Sequence, residues 1–190
     1  MFRRALIPLA VVLISTTALI AGTKIKAERH PKFDFKTLKS WAWRASGPGD
    51  VKVWLTADSK PETVQRTYEP VIVEAVEAEL ARRGFTKAAG AAPDFVVTYY
   101  VLITAASSAQ EMGQFLPAVT EWGVPPFAPQ TTATRVYPLG TLVLDLASPA
   151  DRVIWRAVAQ AEVELGRTEA QRSARLRTII KDIVAKIPRK

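Results

Sequence analysis

Along residues 94–103 apolar side chains fill nearly every position. Phe95, Val97, Tyr99, Val101 and Ile103 fall on one side of an extended chain, with Val96, Thr98, Tyr100 and Leu102 on the other. A strand largely apolar on both sides is one that the rest of the molecule covers on both. Residues 141–146 and 152–162 read as two more strands, joined through Ala147-Ser148-Pro149-Ala150-Asp151 as a hairpin connection. Phe33 and Phe35, then Trp41 and Trp43, are each spaced by two, which places each pair on one side of a further strand. Ser46-Gly47-Pro48-Gly49-Asp50 breaks that strand, and residues 51–55 fit either a strand extension or a packed loop.

Two segments carry the helical period instead. Ser59-Lys60-Pro61-Glu62 has the spacing of a capping box, with a proline tolerated in the first turn. Beyond it Ile72, Ala75, Val76 and Leu80 form one stripe, while Pro70 predicts a kink or a fresh start near Thr67. Glu69, Glu74 and Glu77 come early and Arg82 and Arg83 late, matching the helix dipole, and Gly84 supplies the left-handed stop. Thr168-Glu169-Ala170-Gln171 caps a second helix, whose stripe is Leu176, Ile179, Ile180, Ile183 and Ile187, ended by Pro188.

The order strand, helix, three strands, helix predicts an α+β fold: a four-stranded mixed sheet with both helices on one face. Residues 104–138 are the anomaly, a long connection rich in Ala, Pro, Gly and Thr with Phe115, Trp122, Phe127 and Tyr137 scattered through it. The reading adopted is that this connection folds over the sheet face left bare by the helices. The alternatives are a mobile partner-binding loop and oligomerisation through that face.

The N-terminus has a different pattern. After Arg3 and Arg4, residues 5–22 carry no charge, the arrangement of an export signal with small residues Ala21 and Gly22 at a cleavage point. An uncleaved membrane anchor is the rival, since the run is about the minimum length that spans a bilayer. Residues 1–22 are therefore expected to be a signal peptide or anchor, 23–32 a charged tether, and 33–188 one envelope domain in the periplasm.

Composition then removes chemistry. The chain has no cysteine and one histidine, His30, so disulfides, thiolate catalysis and zinc fingers are excluded. A Ser–His–Asp triad would have to use His30, beside Pro31 in a charged stretch, where nothing would orient its ring. No glycine-rich phosphate loop, paired metal-ligand spacing or nucleophile elbow appears, so neither a metal nor a cofactor is expected. The formal charge is +8. Nucleic acid is not expected as a partner of an exported chain, which leaves an envelope protein, a lipid headgroup or a glycan, with membrane contact through the N-terminal segment.

Three segments together carry a resemblance. Pro93-Asp94-Phe95-Val96-Val97-Thr98-Tyr99-Tyr100, Gly140-Thr141-Leu142-Val143-Leu144-Asp145-Leu146 and Val153-Ile154-Trp155-Arg156-Ala157 stand in order between the early aromatics and the closing helix. The set resembles an uncharacterised family of Gram-negative envelope lipoproteins, classed as a domain of unknown function. The resemblance implies an α+β envelope domain tethered by an N-terminal lipid, and carries no catalytic residues. Here Thr23 stands where the lipidated cysteine would be, and a hydroxyl cannot take that modification.

For function, the leading expectation is a non-enzymatic module that binds or supports another envelope component. Trp122, Phe127, Tyr137, Asp145, Trp155 and Arg156 are the candidate surface. Trp155 is expected in the core and Arg156 beside Asp145 across strands. The alternatives are a hydrolase of envelope polysaccharide using Asp145, Asp151 or Glu162, which needs two carboxyls roughly 5–10 Å apart, and a small-ligand carrier with 104–138 as its lid.

Overall fold

A computed structural model describes residues 22–54, 60–89, 92–112 and 131–188, with the side chains of 54, 109–112 and 131–133 left aside. Residues 1–21 of the expected export segment, Trp122 and Phe127 lie outside the described residues. The chain order is β1 (Lys24–Arg29), β2 (Ser40–Trp43), β3 (Gly49–Trp54), α1 (Pro61–Arg82), β4 (Thr86–Lys87), β5 (Phe95–Met112), β6 (Thr131–Ala147), β7 (Val153–Glu162) and α2 (Glu169–Ala185).

The fold is α+β with two helices and a mixed sheet, but the sheet has seven strands where four were expected. Its order is β1-β7-β6-β5-β2-β4, with β3 also on β5. The crossover through α1 makes β2 and β3 parallel to β5, and β5–β6, β6–β7 and β1–β7 are antiparallel.

Each extra strand has a physical reason for its weak signal. The expected tether contains β1, which pairs with β7 from Lys24↔Gln160 to Arg29↔Trp155. As an edge strand it needs little apolar surface, and its charges suit an edge; only Ile25 packs on the core. Residues 49–54 continue the pairing that β2 begins, β2 taking β5 at Phe95–Val97 and β3 taking it from Tyr99 to Thr104. Between them Arg44 N–H donates to the Val97 carbonyl and Tyr99 N–H to the Pro48 carbonyl, so the Gly-Pro break is a short excursion along one edge.

The described residues of the expected loop are strand. β5 runs on to Met112 and β6 starts at Thr131, registered from Ala105↔Pro138 to Met112↔Thr131. Ala, Thr and Ser in that stretch are half-apolar and edge-tolerant, which is why composition alone suggested a loop. The two strands form a ribbon projecting beyond β7 and β3.

Both helices take up the expected stripes. α1 starts after Lys60, which makes no side-chain cap, and runs unbroken through Pro70. Gly84 has φ 80° and closes it. α2 has the reciprocal capping box of Thr168 and Gln171. Ile72, Val76 and Leu80 of α1 join Ile180, Ile183 and Val184 of α2 in one buried cluster with Phe95, Val97, Tyr99, Leu144, Leu146 and Trp155. The helices therefore cover a single face of the sheet. On the opposite face Val96, Tyr100, Val143 and Val158 are half-buried and Leu102 is exposed, while the polar pair Thr98 and Asp145 is buried.

Candidate functional site

Strand alternation sends Trp155 and Arg156 to opposite faces of β7. Trp155 is 2% exposed within the core, as its pattern predicts. On the open face Arg156 sits opposite Asp145, and its Nε and a terminal nitrogen fork onto the two carboxylate oxygens at 2.7 and 2.6 Å. Asp145 is 5% exposed while the arginine side chain is half exposed, so the guanidinium lies over the carboxylate as a lid. The hydrogen bond to Asp145 raises the Arg156 pKa above its ordinary value, outweighing the effect of burial. The pair is bidentate, using two of the five guanidinium N–H donors and one site on each carboxylate oxygen.

The other carboxylates weighed for catalysis are elsewhere. Asp151, at φ 59° in the β6–β7 turn, pairs with Arg44. Glu162 at the far end of β7 pairs with Arg135. Glu162 lies six residues along β7 from Arg156, the cross-strand partner of Asp145, about 20 Å away and well beyond the spacing that acid–base glycoside cleavage needs. Asp145 and Asp151 are each bonded to a separate arginine. His30 is exposed and its Nδ1 accepts from the Lys32 amide, with no acid or nucleophile bonded to it. Among the described residues no group of three or more histidines and carboxylates could hold a metal, and no helix is long and apolar enough to cross a membrane.

Two features remain that position side chains for binding. The first is the β5–β6 ribbon. Val136 is 69% exposed there, and the Arg135 guanidinium lies 5.5 Å from the Tyr137 ring centroid. Tyr137 is thus the one described member of the aromatic set from the long connection, and it stands on the ribbon rather than over the open face.

The second is a cavity of about 260 Å³ between the sheet and the N-terminal halves of both helices. Its floor is Val101, Ile103 and Leu142, with the small residues Gly140, Ala159 and Ala161 giving it depth. Val64, Tyr68 and Ile72 of α1 wall one side, Leu176 and Ile179 of α2 the other. Arg167, Arg172 and Arg175 stand at the mouth with Glu162 and Glu164. Sequence reasoning missed this site, since Val64 and Tyr68 stood outside the helical stripe it used. The available signal was the run of small residues Gly140, Ala159 and Ala161, whose β6–β7 register leaves a row without bulk.

The sequence profile of the domain of unknown function DUF4136 matches residues 25–189. The chain belongs to that family. The family match covers β1 as well as the core, in keeping with the pairing of β1 on β7. No curated protein matches the chain in sequence. Among solved structures, a PDZ domain protein from Parabacteroides distasonis ATCC 8503 is similar with a TM-score of 0.52 at 15% identity over 87% of this chain. The chain spans 35% of the length of that protein, and the likeness is one of fold. The PelC dodecamer from Paraburkholderia phytofirmans is similar with a TM-score of 0.43 at 10% identity, over 89% of this chain and 99% of that one.

Proposed function

We propose that this domain is a non-enzymatic module of the bacterial envelope that binds another envelope protein through the projecting β5–β6 ribbon. The observation that carries the reading is the ribbon's isolation. From Ala105↔Pro138 out to Met112↔Thr131 it is paired only with itself among the described residues, for a reach of roughly 25 Å. An isolated two-stranded ribbon is marginal in water, and its outer edges offer unpaired backbone donors and acceptors. A strand from a partner would satisfy them by extending the sheet. The uncharged run after Arg3 and Arg4 supports an envelope location, and the engagement of both Asp145 carboxylate oxygens by Arg156 supports a role without catalysis.

A photo-crosslinking residue placed at Val136 in the full chain, expressed in a Gram-negative host, tests this. The expected result is a discrete adduct with one envelope protein that is absent when the same residue is placed at Arg82 on α1. No adduct, or the same adducts from both positions, would overturn the reading.

A further inference from the structure

We infer that the cavity between the helices and the sheet is a binding site for an anionic single-chain amphiphile, an alkyl carboxylate whose tail enters the cavity and whose head meets Arg172. The inference is independent of the ribbon.

Chemistry at the two ends of the cavity differs. The interior is aliphatic apart from the Tyr68 side chain, and several of its residues (Val64, Val101, Leu176 and Ile179 among them) are only partly buried against the core. Exposed apolar surface in a concave site is what an alkyl chain covers best. At about 260 Å³, below the range of drug-sized ligand pockets, the cavity suits one short alkyl chain.

The mouth is cationic. Glu164 is engaged by both Arg167 and Arg175, and Glu162 by Arg135. Arg172 is left without a carboxylate among the described residues: one terminal nitrogen donates to the Leu165 carbonyl at 2.8 Å, and its buried Nε has no hydrogen-bond partner. A buried charged donor with nothing to bond is costly. A ligand carboxylate would take that donor and balance the charge. The first turns of α1 and α2 lie at the same end, and their dipoles favour an anion in the same sense.

Calorimetric titration of the full chain with hexanoate, octanoate and decanoate tests the tail. Affinity should rise about fourfold with each added methylene until the cavity is filled. Decanol and decyltrimethylammonium test the head: decanoate should bind at least tenfold more tightly than either. Arg172→Gln should remove that preference while leaving decanol binding unchanged. Ala159→Leu, which fills the floor, should abolish binding of all the ligands with the folded circular dichroism spectrum retained; Ala161→Leu repeats the arm if the first variant fails to fold. No saturable binding to the unmodified chain, or decanoate binding that survives the filled floor, would overturn the site. Equal binding of decanol and decanoate would overturn the anionic assignment.

Discussion

Tyr99 is wholly buried and its hydroxyl donates to Glu69 at 2.6 Å; burial first, and the carboxylate beside it second, push the phenol far above its ordinary pKa. The ring has room only because of its neighbour across the strands. A Cβ at Gly49 would lie 2.5 Å from the Tyr99 ring carbons, a contact no relaxation of a buried ring removes cheaply. Gly49→Ala is therefore expected to cost about 1–3 kcal/mol, measured as a lower urea midpoint with an unchanged slope. An unaltered midpoint would show that the ring is not held as described. This glycine also marks a limit of reading residues in sequence. Beside Pro48 it reads as part of a break, whereas it opens β3, and only the register with Tyr99 says why its side chain is missing. Asp145 and Arg156 were legible for the opposite reason. Both sit on strands with clear alternation, so cross-strand pairing could be inferred before any coordinates.

Elements with a strong period were legible as well: α1 by its stripe, α2 by its cap and stripe, and the cores of β5, β6 and β7 by alternation. Elements held by partners rather than by pattern were not. β1 is an edge of charged residues; β2 showed in the spacing of Trp41 and Trp43, but its alignment on β5 depends on a clamp from outside itself. Asp94, just before β5, accepts from the amides of Lys39 and Ser40 at 2.9 and 2.7 Å and from the Ser40 hydroxyl at 3.0 Å, so one carboxylate aligns β2 for parallel pairing. The Ser40 amide, then the Lys39 amide and the Ser40 hydroxyl, hold its pKa below the ordinary aspartate value of 3.8. A folded pKa lower than the unfolded one means that the clamp stabilises fully above the ordinary value and is lost as pH falls through the folded one. Asp94→Asn should therefore lower the urea midpoint at neutral pH. The gap from the unmodified chain should begin to shrink below about pH 4 and close in stronger acid. A gap that stays constant across that range would mean the carboxylate charge contributes nothing to the clamp.

At the scale of the molecule, the buried cluster and the ribbon occupy different parts of the same two strands. In β5 and β6 the residues of the buried hydrophobic cluster are Phe95, Val97, Tyr99, Leu142, Leu144 and Leu146, all within the stretch flanked by other strands. The ribbon beyond them adds the Arg135–Glu162 ion pair, whose arginine is 68% exposed, and exposed pairs of this kind are worth about 0–1 kcal/mol. Pro138 has a further structural tie, its carbonyl accepting from the Val163 amide at 2.8 Å. Replacing residues 107–136 with an Asn-Gly turn keeps that bond and joins Ala106 to Tyr137, which already face each other in register. If the ribbon is an appendage for binding, the shortened chain should melt within about 3 °C of the full one, a difference below roughly 1 kcal/mol for a domain of this size. The cavity is rooted at Val101, Ile103 and Leu142, inside the retained part, so decanoate binding should persist while partner capture has lost its surface. A fall of more than about 10 °C would show that the ribbon is structural, and would move the search for the partner's surface to the open sheet face around Tyr100 and Val143.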